Sequence, residues 1–166
     1  MKSHPLIFGL FILINFCSAK AVATEATTQQ LEQLIKRGEY LSRISGCNDC
    51  HTAGYAQTAG QIPKEQWLMG DQLGWQGPWG TTYPSNLRLS MNKLTEQQWL
   101  EMAKTAKFRP PMPWFALRDM QENDLKAIYQ FVKHLGPAGQ PAPAYLAPGQ
   151  NAQGPVVRFP APPAQP

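Results

Sequence analysis

The sequence has few cysteines, a small net charge and no long apolar run, and each shortage excludes a class of protein. Three Cys among 166 residues are too few for a small domain held together by disulfides. The formal charge of +4 is small and scattered, so we expect no nucleic-acid partner. No G-x-G-x-x-G or P-loop run occurs, and no catalytic acid, base or nucleophile is apparent. We therefore do not expect an enzyme. The length suits one domain.

The first 23 residues have the layout of a secretory signal peptide. After a short polar start, an apolar run of 11 residues extends from Leu6 to Phe16, and Ala21-Val22-Ala23 supplies small residues for cleavage. That run is too short to cross a bilayer. We predict cleavage after Ala23, with Ala21 as the second choice, and loss of Cys17 with the signal. The mature protein is then periplasmic and has no membrane span. A short buried amino-terminal helix is the alternative.

Residues 138–166 are predicted to form a proline-rich carboxy-terminal tail. From Gly136 to Pro166, 31 residues contain nine of the 16 prolines. Proline fixes φ and removes backbone donors, so this tail should be extended or irregular. Residues that could anchor it on the domain are Tyr145, Leu146, Val156, Val157 and Phe159. The pattern leaves open whether the tail is solvated or docks against a partner.

The remaining residues, 24–137, are predicted to form one all-α domain. Apolar residues recur at helical spacing over about 28–46. Thr95 and Gln98 form a capping box for a helix that reaches Lys107, and a third apolar face from Leu125 to Leu135 stops at Gly136. No segment shows sustained alternation, so no sheet is expected. Residues 54–90 are rich in Gly, Trp, Pro and Asn, with one short helix near 64–69, and long loops of this kind need something to organise them.

The run Cys47-Asn48-Asp49-Cys50-His51 supplies that organising element. C-x-x-C-H is the attachment sequence of a c-type haem, in which two thiols form thioethers with the haem vinyl groups. The adjacent imidazole then becomes an axial iron ligand. We predict one covalent haem c, held through Cys47 and Cys50, with His51 bound to the iron.

Three other kinds of site use the same residue types. A thioredoxin-like pair follows a strand, whereas this motif ends a predicted helix. A zinc site needs four ligands, and His134 is the one further candidate after signal removal. The adjacency of Cys50 and His51 also suits a shared tetrahedral ion poorly. A structural disulfide would leave His51 without a role, so haem accounts best for the motif.

A second axial ligand decides between electron transfer and chemistry at an open iron. Met112 lies in Arg109-Pro110-Pro111-Met112-Pro113-Trp114, where prolines on both sides restrict the backbone and would present the thioether rigidly. We predict that His51 and Met112 are the two iron ligands. The weaker candidates are Met69, Met91, Met102, Met120 and His134.

The position of the motif resembles that in the class I c-type cytochromes, where the distal methionine comes from a loop before the last helix and is commonly followed by proline. Residues Gly80 to Asn86, which read G-T-x-Y-x-x-N, and the run from Trp114 to Met120 are similar to the cytochrome subunits of membrane-linked alcohol dehydrogenases. Arg88 departs from the run usual after that asparagine. Those subunits often have three haem motifs, and this chain has one. The resemblance covers about 36–137.

This resemblance implies a class I cytochrome c fold, with amino- and carboxy-terminal helices that cross at Gly38 and Tyr129 and long loops around the haem. It implies an electron carrier that cycles between Fe(III) and Fe(II) and docks with redox partner proteins. Two other functions remain open. One is a haem sensor or peroxide-reacting enzyme with an open distal site, and the other is an electron-transfer subunit of a larger dehydrogenase or oxidase complex.

Two further expectations concern hydrogen bonds around the haem. His51 should donate its second ring N–H to a backbone carbonyl, which fixes the orientation of the imidazole. Buried propionates need donors, because an unpaired buried anion is costly. The candidate donors are Trp79, Tyr83, Asn86, Arg88 and Arg109.

Overall fold

The computed structural model describes the backbone of residues 11–160 and the side chains of residue 25 and of residues 27–160. The chain divides into two compact units, of which the first ends at Gln33 and the second begins at Leu34. Residues 1–10 of the predicted signal peptide and residues 161–166 of the predicted tail lie outside the described residues. The division at Ala23 and at residue 137 stays a prediction. None of the helices within residues 11–160 has the length and apolarity that a membrane crossing requires.

Three of the observed helices, at Phe11–Ile44, Glu96–Thr105 and Glu122–Leu135, confirm the three helices that the apolar spacing predicts. Thr95 Oγ accepts from Gln98 N at 3.2 Å and Gln98 Oε1 accepts from Thr95 N at 2.9 Å, which confirms the capping box. The described helices are α1 (Phe11–Ile44), α2 (Cys47–His51), α3 (Leu87–Ser90), α4 (Glu96–Thr105), α5 (Trp114–Asp119) and α6 (Glu122–Leu135), with 3-10 turns at Lys64–Gln66 and Met91–Lys93.

Helix α6 contacts α1 at Gly38. A Cβ atom at Gly38 would lie 2.0 Å from the carbonyl oxygen of Ala127 and 2.7 Å from Cβ of Phe131, so the two backbones approach as closely as glycine allows. The prediction that Tyr129 packs against Gly38 is therefore wrong, because Ala127 and Phe131 lie there instead. Two residues along a helix rotate by about 200°, which turns Tyr129 away from Phe131. The hydroxyl of Tyr129 donates instead to the carbonyl of Leu94 at 2.9 Å.

The all-α prediction is wrong, because the second unit contains a three-stranded mixed sheet. β1 (Gly74–Gly77) pairs antiparallel with β2 (Gly80–Thr82), and β3 (Val156–Arg158) pairs parallel with β1, which gives the order β2-β1-β3. Each strand has three or four residues, too few for an alternating pattern to emerge from the sequence. β3 also lies in the proline-rich segment, where no regular structure was expected.

The described part of the tail packs against the domain on both sides of the β1–β2 hairpin. Leu146 exchanges two backbone hydrogen bonds with Thr81, at 2.8 and 3.0 Å, while β3 covers the other edge. The ring of Phe159 lies 5.9 Å from that of Trp75 and 5.2 Å from that of Trp79, between centroids. Of the two arrangements that the sequence left open, the described tail residues therefore adopt a docked one, with their own domain as the partner.

Candidate functional site

The three motif residues lie together on α2. Cys47 and Cys50 are three positions apart, which places them on the same side of a helix, and His51 follows at its end. Both thiols are free, and Cys47 packs against the hydrophobic core. Burial raises the pKa of Cys47 to about 11 and also raises the pKa of Cys50, so both remain protonated at neutral pH. The disulfide alternative is not supported.

The imidazole of His51 is oriented by a backbone carbonyl. Its Nδ1 lies 2.7 Å from the carbonyl oxygen of Ser85, which can only accept, so Nδ1 carries the proton. Burial lowers the pKa of His51, which keeps the ring neutral and leaves a lone pair on Nε2. Within the described residues, the hydrogen bond of the His51 ring is the one at Nδ1. The expected bond to a carbonyl is confirmed, and Ser85 provides it.

Three backbone segments meet at the end of α2. The carbonyl of His51 accepts from Gly70 N at 2.8 Å, and Thr52 Oγ1 accepts from Leu68 N at 2.8 Å. Gly70 has φ of 80°, and a Cβ atom there would lie 2.8 Å from the carbonyl oxygen of Pro84. A larger residue at this position would push apart the two loops that hold His51 in place. Neither Gly70 nor Ser85 was predicted as a site residue.

A zinc site is not supported by the arrangement of potential ligands. Within the described residues, no group of three or more His, Cys, Asp or Glu side chains is placed to hold a metal ion. His134, the further ligand that the sequence offered, is exposed on α6.

Met112 lies in the segment between α4 and α5, with its side chain partly buried against the same core that the first motif cysteine contacts. Its backbone is held in a tight turn, because Met112 N donates to Arg109 O at 3.3 Å and Trp114 N donates to Met112 O at 2.9 Å. Thr82 Oγ1 donates to Pro110 O at 2.7 Å and ties the segment to β2. These contacts agree with a rigidly presented thioether, and the role of Met112 as a ligand stays a prediction.

The other methionines of the described residues have packing contacts. Met91 is 1% exposed within the core, and Met102 and Met120 pack partly buried against it. The sulfur of Met69 lies beside the tail, where a Cβ atom at Gly139 would be 3.1 Å from it.

Arg88, a candidate propionate donor, holds the end of α6. Its guanidinium donates to the carbonyls of Glu65 and Gly136, both at 2.6 Å, and to the carbonyl of Leu135. The last carbonyls of a helix have no partner within it, so this buried side chain satisfies two of them. Burial lowers the pKa of Arg88 from its ordinary value. Three of its five N–H donors are thus used by backbone groups.

Two other candidate donors differ in their availability. The amide of Asn86 caps α3 and donates to the carbonyls of Ala138 and Gln140, at 2.8 and 3.1 Å, so it links α3 to the tail. Trp79 Nε1, in contrast, is buried and has no acceptor among the described residues. Trp79 therefore remains the candidate with a free buried donor.

Comparison with known proteins finds a similarity to a protein of Gluconobacter oxydans (strain 621H), the alcohol dehydrogenase (quinone), cytochrome c subunit. The two are 29% identical over 113 residues, which cover 62% of this chain and 22% of the relative. The chain thus spans only part of the length of that relative. No protein-family model matches the chain, and no solved structure matches it. The similarity supports a cytochrome c-like relationship.

Proposed function

We propose that the protein is a periplasmic electron-transfer protein with one covalently bound haem c. The observation that carries this proposal is the state of His51 on α2. Its Nδ1 donates to the Ser85 carbonyl, and its ring is neutral with a lone pair on Nε2. The residue directly follows Cys50, the second of two free thiols on α2. The similarity to a cytochrome c subunit gives independent support for electron transfer.

The residues present fit haem c. Free thiols three positions apart on one helix are what two thioether links require, and a neutral imidazole with a fixed orientation is a suitable iron ligand. Trp79 Nε1 is a buried donor that needs an acceptor, which a propionate oxygen would supply.

When bound, haem c supplies an iron that exchanges one electron between Fe(III) and Fe(II). Cys47 and Cys50 would attach the haem covalently, and His51 and Met112 would hold its iron. The soft sulfur of methionine favours Fe(II), which raises the reduction potential. Ser85 keeps the imidazole in place through the cycle. No proton transfer by the protein is required, so none of these side chains acts as an acid or a base.

Replacing Met112 with Ala tests the axial ligation. We expect the purified protein to show a methionine-to-iron charge-transfer band, and Met112→Ala to lose this band and to lower the reduction potential in a redox titration. Met120→Ala is the matched control, because Met120 is also partly buried against the core and should leave both properties unchanged. If the native protein lacks the band and Met112→Ala leaves its visible spectrum unchanged, the electron-carrier proposal gives way to a haem protein with an open distal site. If Met112→Ala keeps the band, another methionine binds the iron.

A second candidate function is that of a subunit in a larger dehydrogenase complex, which is favoured because the Gluconobacter relative is a cytochrome c subunit of an alcohol dehydrogenase. Purification of the full-length protein at native abundance tests this function, together with cell fractionation for the periplasmic location. Co-purification of a dehydrogenase in fixed stoichiometry would support the subunit. A haem-loaded monomer in the periplasm would support the independent carrier.

A further inference from the structure

The tail contacts the segment that bears Met112, as well as the hairpin beside it. The guanidinium carbon of Arg109 lies 3.9 Å from the centroid of the Tyr145 ring, which is a close cation–π contact. The hydroxyl of Tyr145 donates to the carbonyl of Trp79 at 2.8 Å. Tyr145 therefore joins the turn of the β1–β2 hairpin to Arg109, which is the first residue of the turn around Met112 (the methionine turn, residues 109–114).

A second connection runs through the hairpin itself. Leu146, next to Tyr145, is hydrogen-bonded to Thr81 in both directions. The neighbouring Thr82 donates to the carbonyl of Pro110 at 2.7 Å. The side on which the tail approaches is crowded, since a Cβ atom at Gly80 would lie 2.2 Å from the carbonyl oxygen of Leu146. The tail thus reaches the methionine segment directly at Arg109 and indirectly through β2.

The methionine turn itself has few other ties. Its hydrogen bonds at Met112 are local, to Arg109 and Trp114, and it lies in a segment without helix or strand. The side chains of Phe108 and Arg109 are exposed. A short segment of this kind opens more readily than the helices on either side of it. The contacts that hold Arg109 therefore affect how often Met112 leaves its position.

We propose that the tail is an intramolecular strap for the methionine segment, and that Tyr145, acting through Arg109, is a positioning residue for the Met112 iron ligand. This inference rests on the proposed function, because it concerns Met112 as a ligand. The strap shifts the equilibrium of the segment toward the arrangement in which the thioether reaches the iron. An external ligand can bind the iron only when the thioether leaves, so its apparent affinity measures that equilibrium.

Imidazole binding to the ferric protein is the test. We expect Tyr145→Ala to bind imidazole about two- to fivefold more tightly than the native protein, which is the size expected for loss of a solvent-exposed cation–π contact. Tyr145→Phe keeps the ring and should recover most of the native affinity. Arg109→Lys should likewise recover it relative to Arg109→Gln, since the cation is retained. Gln153→Ala, at an exposed tail position, is the control and should bind as the native protein does.

Two measurements separate this inference from its alternatives. In Tyr145→Ala, the free energy of unfolding, measured with urea and circular dichroism, should change less than the free energy of imidazole binding. A merely structural role would change both together. Loss of the charge-transfer band in Met112→Ala establishes that methionine is the ligand being displaced. If that band is present and Tyr145→Ala binds imidazole as the native protein does, the strap is wrong and the electron-transfer proposal stands. If the native protein has no such band, both are wrong.

Discussion

At the scale of single residues, Arg88 combines burial with hydrogen bonds to three backbone carbonyls. Its three acceptors come from two distant parts of the chain, at Glu65 and at the end of α6. A cation at this end also complements the partial negative charge of the α6 carboxyl terminus. No nearby acid pairs with it in the described salt bridges. Arg88 therefore caps α6 and links α3 to the 3-10 turn at Lys64–Gln66.

Arg88→Ala should lower the free energy of unfolding by about 2–3 kcal/mol, because three backbone carbonyls lose hydrogen bonds to a charged donor. Urea denaturation of the purified protein measures the change. Arg118→Ala is the control, since Arg118 is exposed and pairs with the neighbouring Asp119, and its effect should be much smaller. Equal effects of the two substitutions would contradict the capping role. A fall in reduction potential without loss of stability would point to the propionate instead.

The sequence predicts the residues whose side chains would carry the proposed chemistry, and misses those that act through the backbone. Cys47, Cys50 and His51 stand in a recognisable spacing. Ser85 contributes a carbonyl, which every residue has, so no residue type marks it. Gly70 is visible as a glycine, but its positive φ and the closeness of Pro84 emerge only in the folded chain.

At the scale of elements, the contact between α1 and α6 depends on Gly38, because glycine has no side chain. Gly38 lets the carbonyl of Ala127 approach to a distance that no Cβ atom could tolerate, and an ion pair between Arg37 and Asp124, at 3.0 Å, lies beside it. Because the closest obstacle is backbone, it cannot be relieved by a change of rotamer.

Gly38→Ala should destabilise the protein by about 3 kcal/mol, since one of the two helices must move. The sign is informative, because the same change in an exposed helix position stabilises by up to about 1 kcal/mol. Thermal and urea denaturation measure the effect. Lys36→Ala, at an exposed position two residues earlier, is the control for altering α1 and should have little effect. An increase in stability for Gly38→Ala would show that the helices do not meet there.

The longer helices could be predicted, and the short helices α3 and α5 and the strands could not, for a reason of length. α4 and α6 are long enough for their apolar period and caps to appear in the sequence. β1 and β2 together contain Gly74, Gly77 and Gly80, residues that indicate loops when read locally. β3 is formed by a three-residue pairing with a distant strand, and no local pattern encodes such a partner.

At the scale of the whole molecule, the described tail supplies the outer edges of a small sheet. Without the tail, the edges of the hairpin and the faces of Trp75 and Trp79 that Phe159 contacts would be uncovered. Such surfaces favour association between molecules. Removing residues 148–166 deletes β3 and Phe159, while removing residues 138–166 also deletes the bonds at Leu146.

We expect both deletions to lower the melting temperature, with the larger effect for removal of residues 138–166. Both should also increase self-association, measured by light scattering. The control is a chain that ends at Pro160, which keeps all the described tail contacts. Equal melting temperatures for all three chains would show that the tail adds nothing to the stability of the domain. A loss limited to the longest deletion would assign the stabilising contacts to residues 138–147.

The parallel pairing of β1 with β3 also imposes an order in time. It joins positions about 80 residues apart, and closing so long a loop is slow compared with forming α2 and its local contacts. The ribosome makes Cys47, Cys50 and His51 about 100 residues before β3 exists. We therefore expect a growing chain to present its thiols while the sheet is still incomplete. We expect β3 to pair with β1 only after the thiols of the proposed haem site have been made.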